Sequence, residues 1–144
     1  MKDALIQANI AIKHDEVPVG AIIIERASNK IIAKAFNQVE TLNDPTAHAE
    51  ILAIKEACRK KNSKFLENCD LYVTLEPCAM CAQAISLARI SRLYFAAYDP
   101  KSGGVDHGAK VFKSTSCHFK PEIYGGIHEE EAAQLLQNFF KQKR

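Results

Sequence analysis

Thr46-Ala47-His48-Ala49-Glu50 and Glu76-Pro77-Cys78-Ala79-Met80-Cys81 are the two stretches on which the reading of this chain turns. Together they supply one imidazole, two thiols and, in Glu50, a carboxylate that need not bind a metal. Cys78 and Cys81 stand three apart, so on a helix they project from one face. Pro77 suits the first turn of that helix, where its fixed φ and missing N–H cost nothing. A helix N-terminus favours thiolate over thiol, and thiolate is the form that binds zinc. The run Ala47–Ala57 also reads as helical, which predicts two helix N-termini converging on one zinc ion with Glu50 beside it.

Each half alone says less. A Cys-x-x-Cys also fits a redox pair or half of a structural zinc site. The fourth ligand separates a closed structural site from an open catalytic one. Cys58 is a poor candidate, since ten helical residues carry it about 15 Å from His48. Cys69 lies at the far end of the strand leading to Cys78. Only Cys117 or a later histidine could close the tetrahedron, so the open, catalytic arrangement is preferred. Residues two apart do not share a helix face. His48 therefore belongs in the first turn or the cap, with the longer Glu50 side chain crossing the helix mouth.

The 144 residues, 47% of them hydrophobic, fit one globular domain spanning 1–144 with a sizeable core. Residues 1–16 are broken by Lys2, Asp3, Gln7, Asn9 and Lys13 and hold no signal-peptide core, and no later run approaches a membrane span. A cytoplasmic protein is expected. Five cysteines, two of them assigned to metal, fit a reducing compartment. A formal charge of +2 permits nucleic acid without arguing for it.

In chain order, Ala4, Leu5, Ala8 and Ile12 give a first helix ending near His14, which reads as a helix-end or surface residue. Ala21–Ile24 and Lys30–Phe36 form a hairpin about the Ala27-Ser28-Asn29 turn. Residues 37–45 read as polar loop. A second helix runs from about Thr46 to Lys61, a strand from Leu71 to Leu75, and a third helix from Pro77 to about Ala88, with Met80 as core filler. Arg92–Ala97 is a strand. The long region 98–117 holds a short helix near 109–113 and has the character of a binding-site loop. Residues 122–127 give a weak fifth strand, and Glu129–Lys143 a last helix with acids first and bases last. The pattern predicts an α/β fold, a three-layer α/β/α sandwich around a mixed five-stranded sheet.

The pairing His-x-Glu…Pro-Cys-x-x-Cys is the signature of zinc-dependent nucleobase deaminases. From it outward the chain resembles the cytidine deaminase-like superfamily. Within that group it is similar to the bacterial tRNA adenosine deaminases, which convert adenosine to inosine at the wobble position. The matching blocks are Glu16-Val17-Pro18-Val19-Gly20-Ala21, Asn43 to Glu50, Leu71 to Cys78, Tyr98-Asp99-Pro100-Lys101-Ser102-Gly103 and Asn138-Phe139-Phe140-Lys141.

This resemblance implies that His48, Cys78 and Cys81 hold one zinc per subunit and that Glu50 shuttles protons. It implies that Asn37 contacts the target nucleoside and that Asp99 touches the RNA backbone. It also implies a tRNA anticodon stem-loop as substrate and a two-fold homodimer, which we expect to use the third helix. The chain departs from the pattern at Val105-Asp106-His107-Gly108-Ala109-Lys110. There His107 either lines the RNA path or bonds a backbone carbonyl. Phe139, Phe140, Lys141, Lys143 and Arg144 either rim the cavity for RNA or form the buried and solvated sides of the last helix. The alternatives are a deaminase of a free base or nucleoside, of the guanine or cytosine type, and a non-catalytic zinc or RNA-binding protein.

Overall fold

The computed structural model describes all 144 residues. The chain runs α1 (Lys2–Lys13), β1 (Gly20–Glu25), β2 (Lys30–Phe36), α2 (Val39–Leu42), α3 (Ala49–Lys61), β3 (Cys69–Leu75), α4 (Ala79–Leu87), β4 (Arg92–Ala97), β5 (Glu122–Gly125) and α5 (Glu129–Gln142). A single 3₁₀ turn, Val111–Lys113, lies within the expected short helix. The strands form one mixed sheet in the order β2-β1-β3-β4-β5. β1 is antiparallel to β2 and β3, while β3, β4 and β5 are parallel. The expected three-layer sandwich is the fold observed.

Alternation along the strands sorts the two faces. Leu71, Val73, Leu93 and Phe95 point to one side, where they join Ala49, Ala53 and Ala57 of α3 and Ala82 and Ile85 of α4 in the main core. The alanines recur every four residues, so α3 lays a small-residue stripe on the sheet. On the other side Leu5 of α1 and Ala132 of α5 pack on Ala96 and Ala97. α1 lies close over β1, since a Cβ at Gly20 would come within 2.1 Å of the Ala4 carbonyl.

The register decides where the site forms. Gly20 faces Phe36, Ala21 faces Val73, and Leu75 lies beside Ala97. The start of β1 and the ends of β2, β3 and β4 therefore meet at one end of the sheet. Val19, Asn37, Glu76 and Tyr98 emerge there, at the carboxyl ends of the parallel strands where α/β sheets bind ligands.

Several boundaries differ from expectation. α3 begins at Ala49 rather than Thr46 because Asp44 Oδ1 accepts the Thr46 N–H at 2.8 Å and its hydroxyl at 2.7 Å, holding Thr46 in a local turn. Pro77 lies ahead of α4 rather than in its first turn, and Cys78 is the N-cap. The loop 37–45 contains the four-residue α2, too short to show a period. β5 stops at Gly125 because Gly126 turns to φ +85°. Met80 is only partly buried and lies outside both apolar clusters. His14 caps the end of α1 and stacks on Phe36 with ring centroids 5.2 Å apart.

Candidate active site

Both helices that carry the motif begin at a ligand. His48 is the N-cap of α3 (φ −72°, ψ 151°) and Cys78 the N-cap of α4 (φ −69°, ψ 175°). An N-cap residue is extended, so its side chain leaves the helix mouth in a direction closed to helical residues. This is how His48 and Glu50, two apart, serve one site. His48 Nδ1 lies 3.6 Å from Cys78 Sγ and 3.5 Å from Cys81 Sγ, and all three donor atoms fall within 4.8 Å of one another.

The arrangement fits zinc. With Zn–S near 2.3 Å and Zn–N near 2.0–2.1 Å, a tetrahedron has an N···S edge of about 3.6 Å. Without the metal the cluster shares its protons unevenly: Cys78 is in the thiolate form that zinc takes, while Cys81 and His48 must each give up a proton on binding it. A hydrogen bond from Cys81 brings the Cys78 thiol down to about 4, while the same bond and burial push Cys81 upward. The hydrogen bond with Cys78 raises His48. Cys117 takes no part: it is buried against Ser86, with Sγ 3.2 Å from the Ser86 hydroxyl. Cys69 is in the core and Cys58 stands apart on α3. The protein thus offers three ligands, the number found in catalytic zinc sites.

Glu50 is 4% exposed beside this cluster. Burial raises its carboxyl to about 7, against the opposing pull of its own backbone N–H and of His48. A carboxyl poised near neutrality can both take and give a proton. It lines a cavity of about 540 Å³ together with His48, Cys78, Asn37, Asp99, Phe139 and Lys143.

The structure brings together some expected contact residues and reassigns others. Asn37 is buried at the end of β2, and its Nδ2 donates to Glu16 at 3.1 Å. Asp99 reaches the cavity while its Oδ1 accepts the N–H groups of Lys101 and Ser102 at 3.2 and 3.0 Å. Phe139 is a buried wall residue, whereas Phe140 is exposed and packs edge-on against it. Lys143 lies 5.5 Å over the Phe139 ring and pairs with Asp15. Lys141 and Arg144 are exposed and do not line the cavity. His107 does not bond a backbone carbonyl through its ring: its Nδ1 meets Glu76 Oε2 at 2.8 Å.

Glu76 and Glu16 are the site residues that sequence reading missed. Glu76 is buried, and Oε2 accepts the Asp99 N–H at 2.9 Å while Oε1 accepts those of Val105, Asp106 and His107 at 3.2, 2.9 and 3.0 Å. Burial alone would raise this carboxyl, but the N–H of Asp99 and the bonds from His107 and Asp106 hold it low. One side chain thereby fastens the 99–107 loop to the segment that carries Cys78. Each stands inside a motif block, Glu76 beside Pro77 and Glu16 beside Val17, which was the available signal.

The comparisons agree with this geometry. Residues 1–97 match the family model described as the cytidine and deoxycytidylate deaminase zinc-binding region. A tRNA-specific adenosine deaminase of Rickettsia bellii is 51% identical over 144 residues, covering 100% of this chain and 99% of that protein. One from Aquifex aeolicus is 51% identical, covering 100% of this chain and 93% of the relative. A solved structure from work on A-to-I editing by tRNA:A34 deaminases at the wobble position of transfer RNA is similar at 48% identity. It has a TM-score of 0.91 and covers 94% of this chain and 97% of that one. A guanine deaminase from Nitrosomonas europaea is similar at 25% identity and a TM-score of 0.82, over 94% of this chain and 80% of its own. A zinc-ligand triad capping two helices, a buried carboxyl between them and likeness along the whole chain lead to one conclusion: the chain belongs to the tRNA-specific adenosine deaminase family.

Proposed function

We propose that this protein is a zinc-dependent hydrolase that deaminates adenosine to inosine at the wobble position of a tRNA anticodon. The observation that carries the chemistry is Glu50, buried at the mouth of α3 beside His48, Cys78 and Cys81 and facing the cavity. Full-length likeness to tRNA-specific adenosine deaminases supports the substrate. Zinc held by the triad supplies a Lewis acid that makes water nucleophilic near neutral pH.

Glu50 takes the proton that water gives up and places it on N1 of adenine, which draws electrons from C6. The water oxygen adds at C6. Glu50 then carries the remaining hydroxyl proton to N6, the C6–N6 bond breaks, ammonia leaves and inosine remains. Asn37 and Asp99 contact the nucleoside and the RNA backbone from the walls, and Phe139 with Lys143 closes the side formed by α5. A flipped base in a single-stranded loop reaches such a cavity at less cost than one in a duplex.

The experiment is nucleoside analysis of an arginine-accepting tRNA after incubation with the protein. Inosine is expected at the wobble position with wild type. Glu50→Ala is expected to keep its zinc and lose at least about 10²–10⁴-fold in turnover. A variant keeping more than about a tenth of the rate would contradict the acid–base role.

The protein is further proposed to be a cytoplasmic homodimer. No helix is long and apolar enough to cross a membrane, and tRNA is a cytoplasmic substrate. Leu87, at the end of α4, is 67% exposed and gives the expected interface helix an apolar contact. Light scattering at micromolar concentration is expected to give twice the 16.0 kDa chain mass. A monomer would contradict it.

A further inference from the structure

Glu16 is fully buried at the cavity wall, and both of its oxygens act as acceptors. Oε1 takes the Thr41 N–H at 2.6 Å, and Oε2 takes Asn37 Nδ2 at 3.1 Å. The backbone fixes both partners: Glu16 N donates to Ala11 O at 2.9 Å and Asn37 N to Val19 O at 3.0 Å. With Oε1 accepting from Thr41 and Oε2 from Nδ2, the amide of Asn37 turns its NH2 toward Glu16. Its Oδ1 is then directed away from Glu16 and accepts nothing from the chain. Asn37 lines the cavity, so this oxygen is the acceptor the amide offers to substrate.

An adenosine within an RNA chain has few donors to meet it. Its 3′ and 5′ oxygens are esterified, and N3 and N7 only accept. N6 is the leaving group beside Glu50, and N1 is protonated there. The remaining donor is the 2′-hydroxyl, the group that distinguishes RNA from DNA. We propose that Glu16 is a positioning residue that locks the Asn37 amide with Oδ1 toward the target ribose, making this wall a detector of the 2′-hydroxyl. The proposal rests on the wobble-adenosine reading.

The test compares three anticodon stem-loops whose target adenosine carries a 2′-hydroxyl, a 2′-fluorine or a 2′-hydrogen. Fluorine keeps a weak acceptor but cannot donate. Wild type is expected to lose about tenfold or more in kcat/KM on either replacement. In Glu16→Gln the carbonyl stays with Thr41, the new NH2 faces Asn37, and the Asn37 amide rotates to present its own NH2. The hydroxyl-over-fluorine ratio is then expected to fall to within about threefold of one. Glu16→Asp keeps acceptor chemistry and is expected to retain the preference at a lower rate. A Glu16→Gln enzyme with the wild-type ratio would overturn the proposal. So would wild type that turns over the fluoro and hydroxyl substrates equally, a result that requires no variant to fold. Failure of the underlying reading looks different: no inosine in the unmodified stem-loop.

Discussion

Glu50 is a buried acid in a protein whose other cavity groups include His48 and Cys78, and its position has a consequence for stability. Its carboxyl rises from an ordinary 4.5 to about 7, mainly through burial. Between those values the folded chain keeps a proton that the unfolded chain has lost, so this group's contribution to stability falls as pH rises. In the metal-free protein, wild type should lose melting temperature relative to Glu50→Gln from about pH 4.5 to 7 and hold a constant gap above that. Calorimetry of both proteins across the range checks this, and a gap that narrows with rising pH would contradict it. Glu50 and the three ligands were legible in the sequence because their spacing is local to two short motifs. Glu16 and Glu76 were not, since their partners lie 21 to 31 residues away. No periodicity reports a carboxylate that gathers backbone N–H groups across such a span.

At the scale of elements, the site is made by what starts α3 and α4 and by the loop held against them. A Cβ at Gly104 would stand 2.5 Å from the Ala79 nitrogen and 2.7 Å from the Cys78 carbonyl carbon, both backbone atoms. The Gly104 N–H also donates to Pro77 O at 2.7 Å. The loop and the start of α4 are thus one packed unit with Glu76 at its centre. Glu76→Gln keeps one carbonyl for the three N–H groups on Oε1 but sets an NH2 against the Asp99 N–H. Charged hydrogen bonds of this kind contribute roughly 1.5–3 kcal/mol each. The variant is expected to lose about 2 kcal/mol of stability. KM for the stem-loop should rise about tenfold while zinc content stays at one per chain. Loss of zinc with an unchanged KM would place Glu76 in the metal site instead. The strands and long helices were legible from apolar runs. The start of α3 was not, because Asp44 holds Thr46 by side-chain bonds that outweigh its place in the helical pattern.

The whole molecule joins a fold shared with guanine deaminases to features that suit a polymeric substrate. The end of α5 crosses to the cavity, where Lys143 meets Asp15 and Phe139 forms the wall. Ending the chain after Phe140 removes Lys141, Lys143 and Arg144 and leaves the zinc ligands untouched. Stem-loop affinity should weaken, and the slope of log K against log salt should flatten by about 0.7 for each phosphate that is no longer neutralised. An unchanged slope would return these cations to the solvated end of a helix. The most direct test is a competition in one reaction among an anticodon stem-loop, free adenosine, guanine and cytosine. Rapid appearance of inosine at the wobble position with negligible turnover of the free compounds is the predicted result. Efficient deamination of guanine or cytosine with no inosine in the stem-loop would contradict it.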